Sequence, residues 1–264
     1  MRRRHTARAL PRWPAARARL RAAFPAAFLA PLLAPLLALC LAALPCTAGA
    51  QQEGGSKQRA SGFSALPAAS KVLLMPTDIE LFSISGGGVV EPRADWTEAA
   101  ARHFRAALVA RKHSLGVVTV DLPEREAEAF EEINALHGAI ARAIAIHHFG
   151  PPGLALPTKA GRLDWSLGEA VRPLREKTGA DYALFSWVRD SYASSERVAA
   201  MVVLALLGVG AGGGSQAGYA SLVDLRDGRV LWFNRLSRAS GDLREADKAG
   251  ETIEALLADF PGAK

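Results

Sequence analysis

Residues 218–236, GYASLVDLRDGRVLWFNRL, constrain what this chain can fold into more than any other stretch. Two runs rich in Val, Leu, Trp, Phe and Tyr flank Asp227-Gly228, a pair suited to a type I′ turn, whose two central residues need positive φ. A two-residue loop there predicts a β-hairpin in which Arg226 faces Arg229, Leu225 faces Val230, Val223 faces Trp232 and Leu222 faces Phe233. Period-2 alternation then puts Tyr219, Ser221, Val223, Leu225, Val230, Trp232, Asn234 and Leu236 on one face. Ala220, Leu222, Asp224, Leu231, Phe233 and Arg235 take the other. Both faces are largely apolar near the turn, so the sheet holding this hairpin is expected to be covered on both sides.

The net charge of +6 does not describe the part that folds. Residues 1–50 hold eight Arg and no Asp or Glu, and without them 24 basic side chains face 26 acidic ones. The basicity belongs to the N-terminal segment, which removes a nucleic-acid-binding reading. That segment has the layout of a secretory signal peptide: Arg-rich over 2–21, apolar over 22–44, then Ala48-Gly49-Ala50 before Gln51. Cleavage after Ala50 would leave an exported chain, periplasmic or membrane-associated. An N-terminal membrane anchor fits the same residues, because an apolar run of this length can cross a hydrocarbon core of about 30 Å. Cys40 and Cys46 are the two cysteines, and Cys40 is the better candidate for a lipid-bearing residue. Leu39 and Pro45 stand where a lipoprotein signal has small residues. Cleavage after Ala50 would remove both cysteines, and with them any disulfide or thiolate chemistry.

Residues 51–70 are polar, rich in Gly, Ser and Ala, and read as a flexible linker to a domain over 71–264. Lys71-Val72-Leu73-Leu74-Met75, stopped by Pro76, has the pattern of a buried strand. Residues 77–93 read as a loop with scattered apolar anchors and a Gly86-Gly87-Gly88 turn. Asp95-Trp96-Thr97-Glu98 looks like a capping box, with Trp96, Ala100, Phe104, Ala107 and Leu108 recurring at helical spacing behind it. Val117-Val118-Thr119-Val120 predicts a second strand. Pro123 then opens a long helix with an inward stripe of Phe130, Ile133, Leu136, Ile140, Ile144 and His147. Residues 150–153, GPPG, stop it. A shorter helix from Ser166 to Thr178 buries Leu167, Val171 and Leu174, with a kink expected at Pro173. Residues 181–188 are the third strand. A last helix beginning near Asp242 presents Leu243, Ala246, Ile253, Leu257 and Phe260 to the core. The order is that of an α/β domain, with a single mixed β-sheet of about five strands, flanking helices, and a C-terminal β-hairpin plus helix.

Three segments of this order carry a family resemblance: the strand ending at Pro76, Gly179-Ala180-Asp181-Tyr182 leading into a strand, and Val223-Asp224-Leu225 followed by Gly228-Arg229-Val230-Leu231-Trp232. With them the chain resembles the periplasmic domain shared by the curli secretion lipoprotein CsgG, the penicillin-binding-protein activator LpoB and the N-terminal domain of TolB. The resemblance covers roughly residues 71–260. It implies a bacterial cell-envelope protein that binds and assembles rather than catalyses, with an envelope protein or a membrane surface as partner, or a homo-oligomer. The chain departs from that family in lacking a pair of long strand-forming insertions with which to build a secretion barrel.

Residues 198–217 interrupt the α/β order with an apolar, Gly-rich insertion that has no charge. Two readings fit it. It is either a segment that touches a membrane or a partner through Met201, Val202, Val203, Leu204, Leu206 and Leu207, or a buried core element followed by a turn. As a helix, residues 198–211 would be about 21 Å long, too short to span a bilayer unaided. Elsewhere the chemistry is sparse. Gly213-Gly214-Ser215-Gln216-Ala217 lacks the last glycine of a nucleophile elbow. No Lys-Ser/Thr follows Gly86–Gly88, so no phosphate loop is indicated. His103, His113, His137, His147 and His148 are not spaced as metal ligands and read as core or surface residues. Trp165 and Tyr192 read as core aromatics, with an exposed binding surface as the alternative. The sequence therefore predicts no catalytic residue, no cofactor and no metal. The expected function is that of an exported, non-catalytic envelope binding or assembly protein. A periplasmic hydrolase with an unrecognised site and an inner-membrane-anchored protein with a periplasmic domain are the alternatives.

Overall fold

The computed structural model describes residues 56–263 apart from 209, 211 and 240. The leader, the cleavage position, both cysteines and residues 51–55 lie outside the described residues. The described chain folds around one mixed sheet of seven strands. Its backbone is β5, Tyr182–Ala193, twelve residues long. One side of β5 pairs along its length with antiparallel β6, Gly214–Asp224, which pairs in turn with β7, Val230–Arg238. The other side is shared end to end by two parallel strands. β1, Lys71–Leu74, takes Tyr182 to Leu184, and β2, Asp78–Ile84, takes Trp187 to Ala193. Beyond β1 lies parallel β4, Val118–Asp121, and beyond β2 lies antiparallel β3, Val90–Pro92.

The break between β1 and β2 follows from Pro76, which has no N–H to give a ladder. Met75 N still bonds Leu184 O at 3.0 Å, and Thr77 Oγ1 meets Ser186 Oγ at 2.7 Å, so the chain steps past the proline and rejoins β5. Residues 77–93, expected as a loop, thus hold two strands. The signal for β2 is the alternation of Asp78 and Glu80 with Ile79 and Leu81, of which the latter two are buried. Scattered apolar anchors were in fact period-2 anchors.

Helices cover both faces. On one face α1, Ala94–Arg111, and α5, Ala246–Leu256, bury Ala100, Phe104, Leu108, Ala249, Ile253 and Leu256 against Leu81, Val188, Leu222 and Trp232. On the other, α2, Glu131–His147, and α3, Arg172–Thr178, bury Ile133, Ala141, Ile144 and Leu174 against Leu73, Phe185, Val223 and Phe233. Four expectations shift in register here. Arg93, not Asp95, precedes α1, because Arg93 N is held by Leu81 O at 2.8 Å and the chain enters the helix directly from β3. The Asp95 carboxylate pairs with Arg93 instead of capping, and Thr97 Oγ1 accepts from Leu81 N. The long helix starts at Glu131 rather than Pro123, behind separate turns over 124–130, which resets its phase. Its buried stripe is Phe130, Ile133, His137, Ala141 and Ile144, with Leu136 exposed and His147 half-buried. Pro173 sits in the first turn of α3, where its missing N–H costs nothing, so it starts the helix and does not kink it.

The hairpin forms with a different register. Leu222 faces Trp232 and Val223 faces Val230, with an irregularity between the two pairs. The connection is not the two-residue turn. Leu225 N bonds Asp181 O at 3.0 Å, Gly228 N bonds Asp224 O at 2.9 Å, and Asp227 does not adopt positive φ. Asp224 is 4 % exposed and its carboxylate takes the Arg226 guanidinium. Burial pushes this carboxyl up, but the Arg226 hydrogen bonds outweigh it and hold the group below the usual carboxylate range. These contacts open the loop to five residues, and the irregularity moves Trp232 to the α1/α5 face and Phe233 to the α2 face. The expectation of a sheet covered on both sides is met.

Residues 56–70 are not a free linker. Ala60 N bonds Leu231 O and Phe233 N bonds Gln58 O, so this stretch adds a short antiparallel segment to the outer edge of β7. Ala60, Leu66 and Ser70 are buried. A polar, small-residue composition does not exclude pairing, because the ladder uses backbone groups alone.

Candidate functional site

The feature without a place in the core is α4, Ser195–Leu206, which connects β5 to β6. Its base is tightly tied. Ser194 N bonds Ile84 O at 2.9 Å, the Ser194 hydroxyl accepts from Arg197 N, and Ala193 N bonds Gly213 O at 2.6 Å. Arg197 Nε reaches Gly212 O at 3.0 Å, so the start of the helix holds the loop that follows its end. A Cβ on Gly214 would lie 2.0 Å from Ser191 O, and glycine alone lets β6 begin this close to β5.

Above that base α4 buries nothing fully. Val198 is 49 % exposed, Val202 59 %, Val203 58 %, Leu206 83 % and Leu207 73 %. Met201 and Leu204, half-buried, lie on the inner side. The structure thus removes the buried-core alternative for residues 198–207. The sequence could not decide it, because a segment apolar at every position has no polar face to mark the outside. The turn between β2 and β3 stands beside the helix: a Cβ on Gly86 would lie 3.5 Å from Glu196 Cβ. It adds exposed Val89 and Val90 to the same end of the molecule.

Under this end sits a buried polar brace that the sequence did not reveal. Asp190 accepts from the Tyr192 hydroxyl and from Gln216 Nε2, the latter at 2.6 Å. Gln216 Oε1 takes Arg238 Nε at 2.9 Å, and Arg238 Nη2 donates to Thr252 Oγ1 at 2.8 Å. Tyr192 Oη accepts from Leu243 N at 2.7 Å, which ties the chain ahead of α5 to the sheet. Arg244 lies over the Tyr192 ring at 4.0 Å. Burial raises the Asp190 carboxyl against the pull of its hydrogen bonds. Every partner in the brace is a structural neighbour, so Tyr192 is a core aromatic, and Ser215 sits within β6 with no strand-turn-helix around it. Tyr192→Phe should cost about 2 kcal/mol by leaving Leu243 N and the Asp190 carboxylate short of a partner, read as a fall in denaturant midpoint.

The histidines do not converge. His147 Nδ1 meets Leu154 O, and His148 Nε2 meets Lys57 O, both at 2.7 Å. His103 Nδ1 contacts Leu243 O at 3.2 Å. His137 is fully buried, stacked on Phe185 with centroids 4.4 Å apart, and hydrogen-bonded through Nε2 to the Ser221 hydroxyl. This contact is sealed within the core with no route to a substrate. Trp165 packs its ring against the second core cluster under Lys159. A cleft of about 280 Å³ at the carboxyl ends of β1 and β4 is lined by Met75, Thr77, Phe104, Arg105, Asp121 and Leu122 among others, with neither serine nor histidine. Among the described residues no group of three or more His, Cys, Asp or Glu is placed to hold a metal ion. No described helix is long and apolar enough to cross a membrane.

No protein-family model matches the chain, and no curated protein sequence matches it. Solved structures with a similar course of chain include the PelC dodecamer from Paraburkholderia phytofirmans, at 14% identity and a TM-score of 0.35, covering 78% of this chain and 97% of that one. Lipoprotein GNA1162 from Neisseria meningitidis is similar at 17% identity and a TM-score of 0.32, covering 74% and 96%. The LpoB C-terminal domain from Salmonella enterica is similar at 13% identity and a TM-score of 0.26, covering 68% and 87%. LpoB is one of the three proteins whose motifs the sequence resembles. Similarity at this level does not carry over to this chain what those proteins assemble or bind.

Proposed function

We propose that this chain is an exported, non-catalytic cell-envelope protein of a Gram-negative-type bacterium that acts by binding or assembly. The carrying observation is the exposed apolar surface of α4, held on a rigid base. A solvated monomer rarely keeps such a contiguous patch unless it is covered by something else. The leader over 1–50 supports export, with cleavage after Ala50 as the expected processing. The fully buried Ser221–His137 contact gives a hydrolase nothing to work with.

Fractionation of cells making the full-length chain, with intact mass of the product, tests this reading. A periplasmic or envelope-bound species is expected, starting at Gln51 if the leader is cleaved. A full-mass membrane species would make the leader an anchor, and diacylglycerol on Cys40 or Cys46 would make the chain a lipoprotein; each keeps the envelope location and replaces the cleavage site. A full-mass cytoplasmic species sinks the proposal.

A further inference from the structure

The β5–α4 junction, the β2–β3 turn and the start of β6 all lie at one end of the sheet, as the pairs Ile84–Ala193, Ile84–Val90 and Tyr192–Gly214 require. Beyond the first turn, whose Ser195 and Glu196 are also exposed, the exposed positions of α4 and its C-cap are 198, 199, 202, 203, 205, 206 and 207. At 100° per residue these positions span an arc of about 200° around the helix, and every one of them is apolar. A protein partner packing on a helix covers a narrower stripe and leaves a polar back. An arc this wide suits a medium that surrounds the helix. No charged residue occurs between Arg197 and Asp224, so beyond the first turn of the helix, which holds Glu196 and Arg197, the rest of the helix, the loop after it and most of β6 add no charge to this end.

From these observations, and resting on the envelope location above, we propose that α4, together with Val89 and Val90, docks on a phospholipid bilayer and buries its outer arc among the acyl chains. The twelve-residue helix is about 18 Å long, enough to enter one leaflet and too short to cross both. Gly208, at φ 75°, and the glycines after it let the chain turn back to β6.

The test is Leu206→Trp in the full chain, reconstituted into phosphatidylethanolamine/phosphatidylglycerol liposomes with and without brominated acyl chains, the parent spectrum being subtracted. Leu206 is 83 % exposed, so the fold should keep its melting temperature. Docking predicts blue-shifted emission that brominated lipid quenches about two-fold or more. Val118→Trp, at the opposite end of the sheet beside Lys71, should stay unquenched. Water-like emission from position 206 in vesicle-bound protein overturns the proposal. So does a blue shift without quenching alongside cross-links between copies, which would make a second chain the cover. Equal quenching at 118 and 206 also overturns it, as adsorption without orientation. Any of these leaves the envelope location standing, whereas a cytoplasmic product sinks that location whatever the liposomes report.

Discussion

Lowering the pH from 7 to 5 should remove about 2 kcal/mol of folding stability through His137 alone. Complete burial lowers its pKa from the ordinary 6.5 to about 3. The folded state thus holds the ring neutral while the unfolded chain takes up a proton from 6.5 downward. Stability contributed by a depressed histidine is present above the unfolded value and is lost as pH falls toward the folded one, at about 1.4 kcal/mol per unit. The loss should continue to about pH 3. His148, also lowered by burial, contributes with the same sign. Asp224 and Asp242, held low by Arg226 and Arg244 against their burial, add losses only at more acidic pH. A double variant, His137→Phe with Ser221→Ala, replaces both hydrogen-bonding partners and keeps a ring on Phe185. Its denaturant-derived stability should fall about 2 kcal/mol less than that of the parent between pH 7 and pH 5. Equal slopes in the two proteins would mean that His137 is not kept neutral by the fold.

Gly228→Ala should cost about 3 to 5 kcal/mol. Gly228 has φ 74°, and a Cβ there would lie 2.4 Å from Gly168 O and 2.5 Å from Gly168 N. Backbone cannot retreat as a flexible side chain can, so the β6–β7 loop would have to leave the Gly168 turn. That breaks the 2.8 Å bond from Leu167 N to Gly228 O. Gly179→Ala is the matched comparison. Gly179 ends α3 at φ 64° with open space around it, so only the left-handed conformation is penalised, at about 1 kcal/mol. Thermal unfolding of both variants separates the steric part from the conformational one. Equal losses at 179 and 228 would show that the Gly168 contact carries no energy.

The Asp227-Gly228 pair illustrates how far local signals reach. Its presence announced a hairpin, and a hairpin formed. The register came from elsewhere: from Asp181 O, Trp165 O and Gly168, which are 47 to 63 residues away and compete for the loop's backbone groups. His137 is a similar case. Its place on a helix was legible, but a polar ring enters a core only when a partner waits there, and Ser221 is contributed by a strand 84 residues on. The brace of Asp190, Tyr192, Gln216, Arg238 and Thr252 was invisible for the same reason, since its members lie on four elements and share no spacing.

By itself the sequence determined what depends on near neighbours. That covers the α/β class, the helix stripe of α1, the stop at Pro76, the charge asymmetry of the leader, and an apolar stretch over 198–207 in search of a cover. It also covers the presence of a last helix though not its stripe, which is Ala249, Thr252, Ile253 and Leu256 and leaves Ala246 exposed. The tertiary structure alone decided that this stretch stands outside the core, that residues 77–93 pair as strands, and that residues 56–60 close the edge of β7. Periodicity identifies a face only where polar and apolar residues alternate. Where a segment is apolar throughout, or polar and short, its environment is set by which distant backbone groups and side chains the fold brings to it.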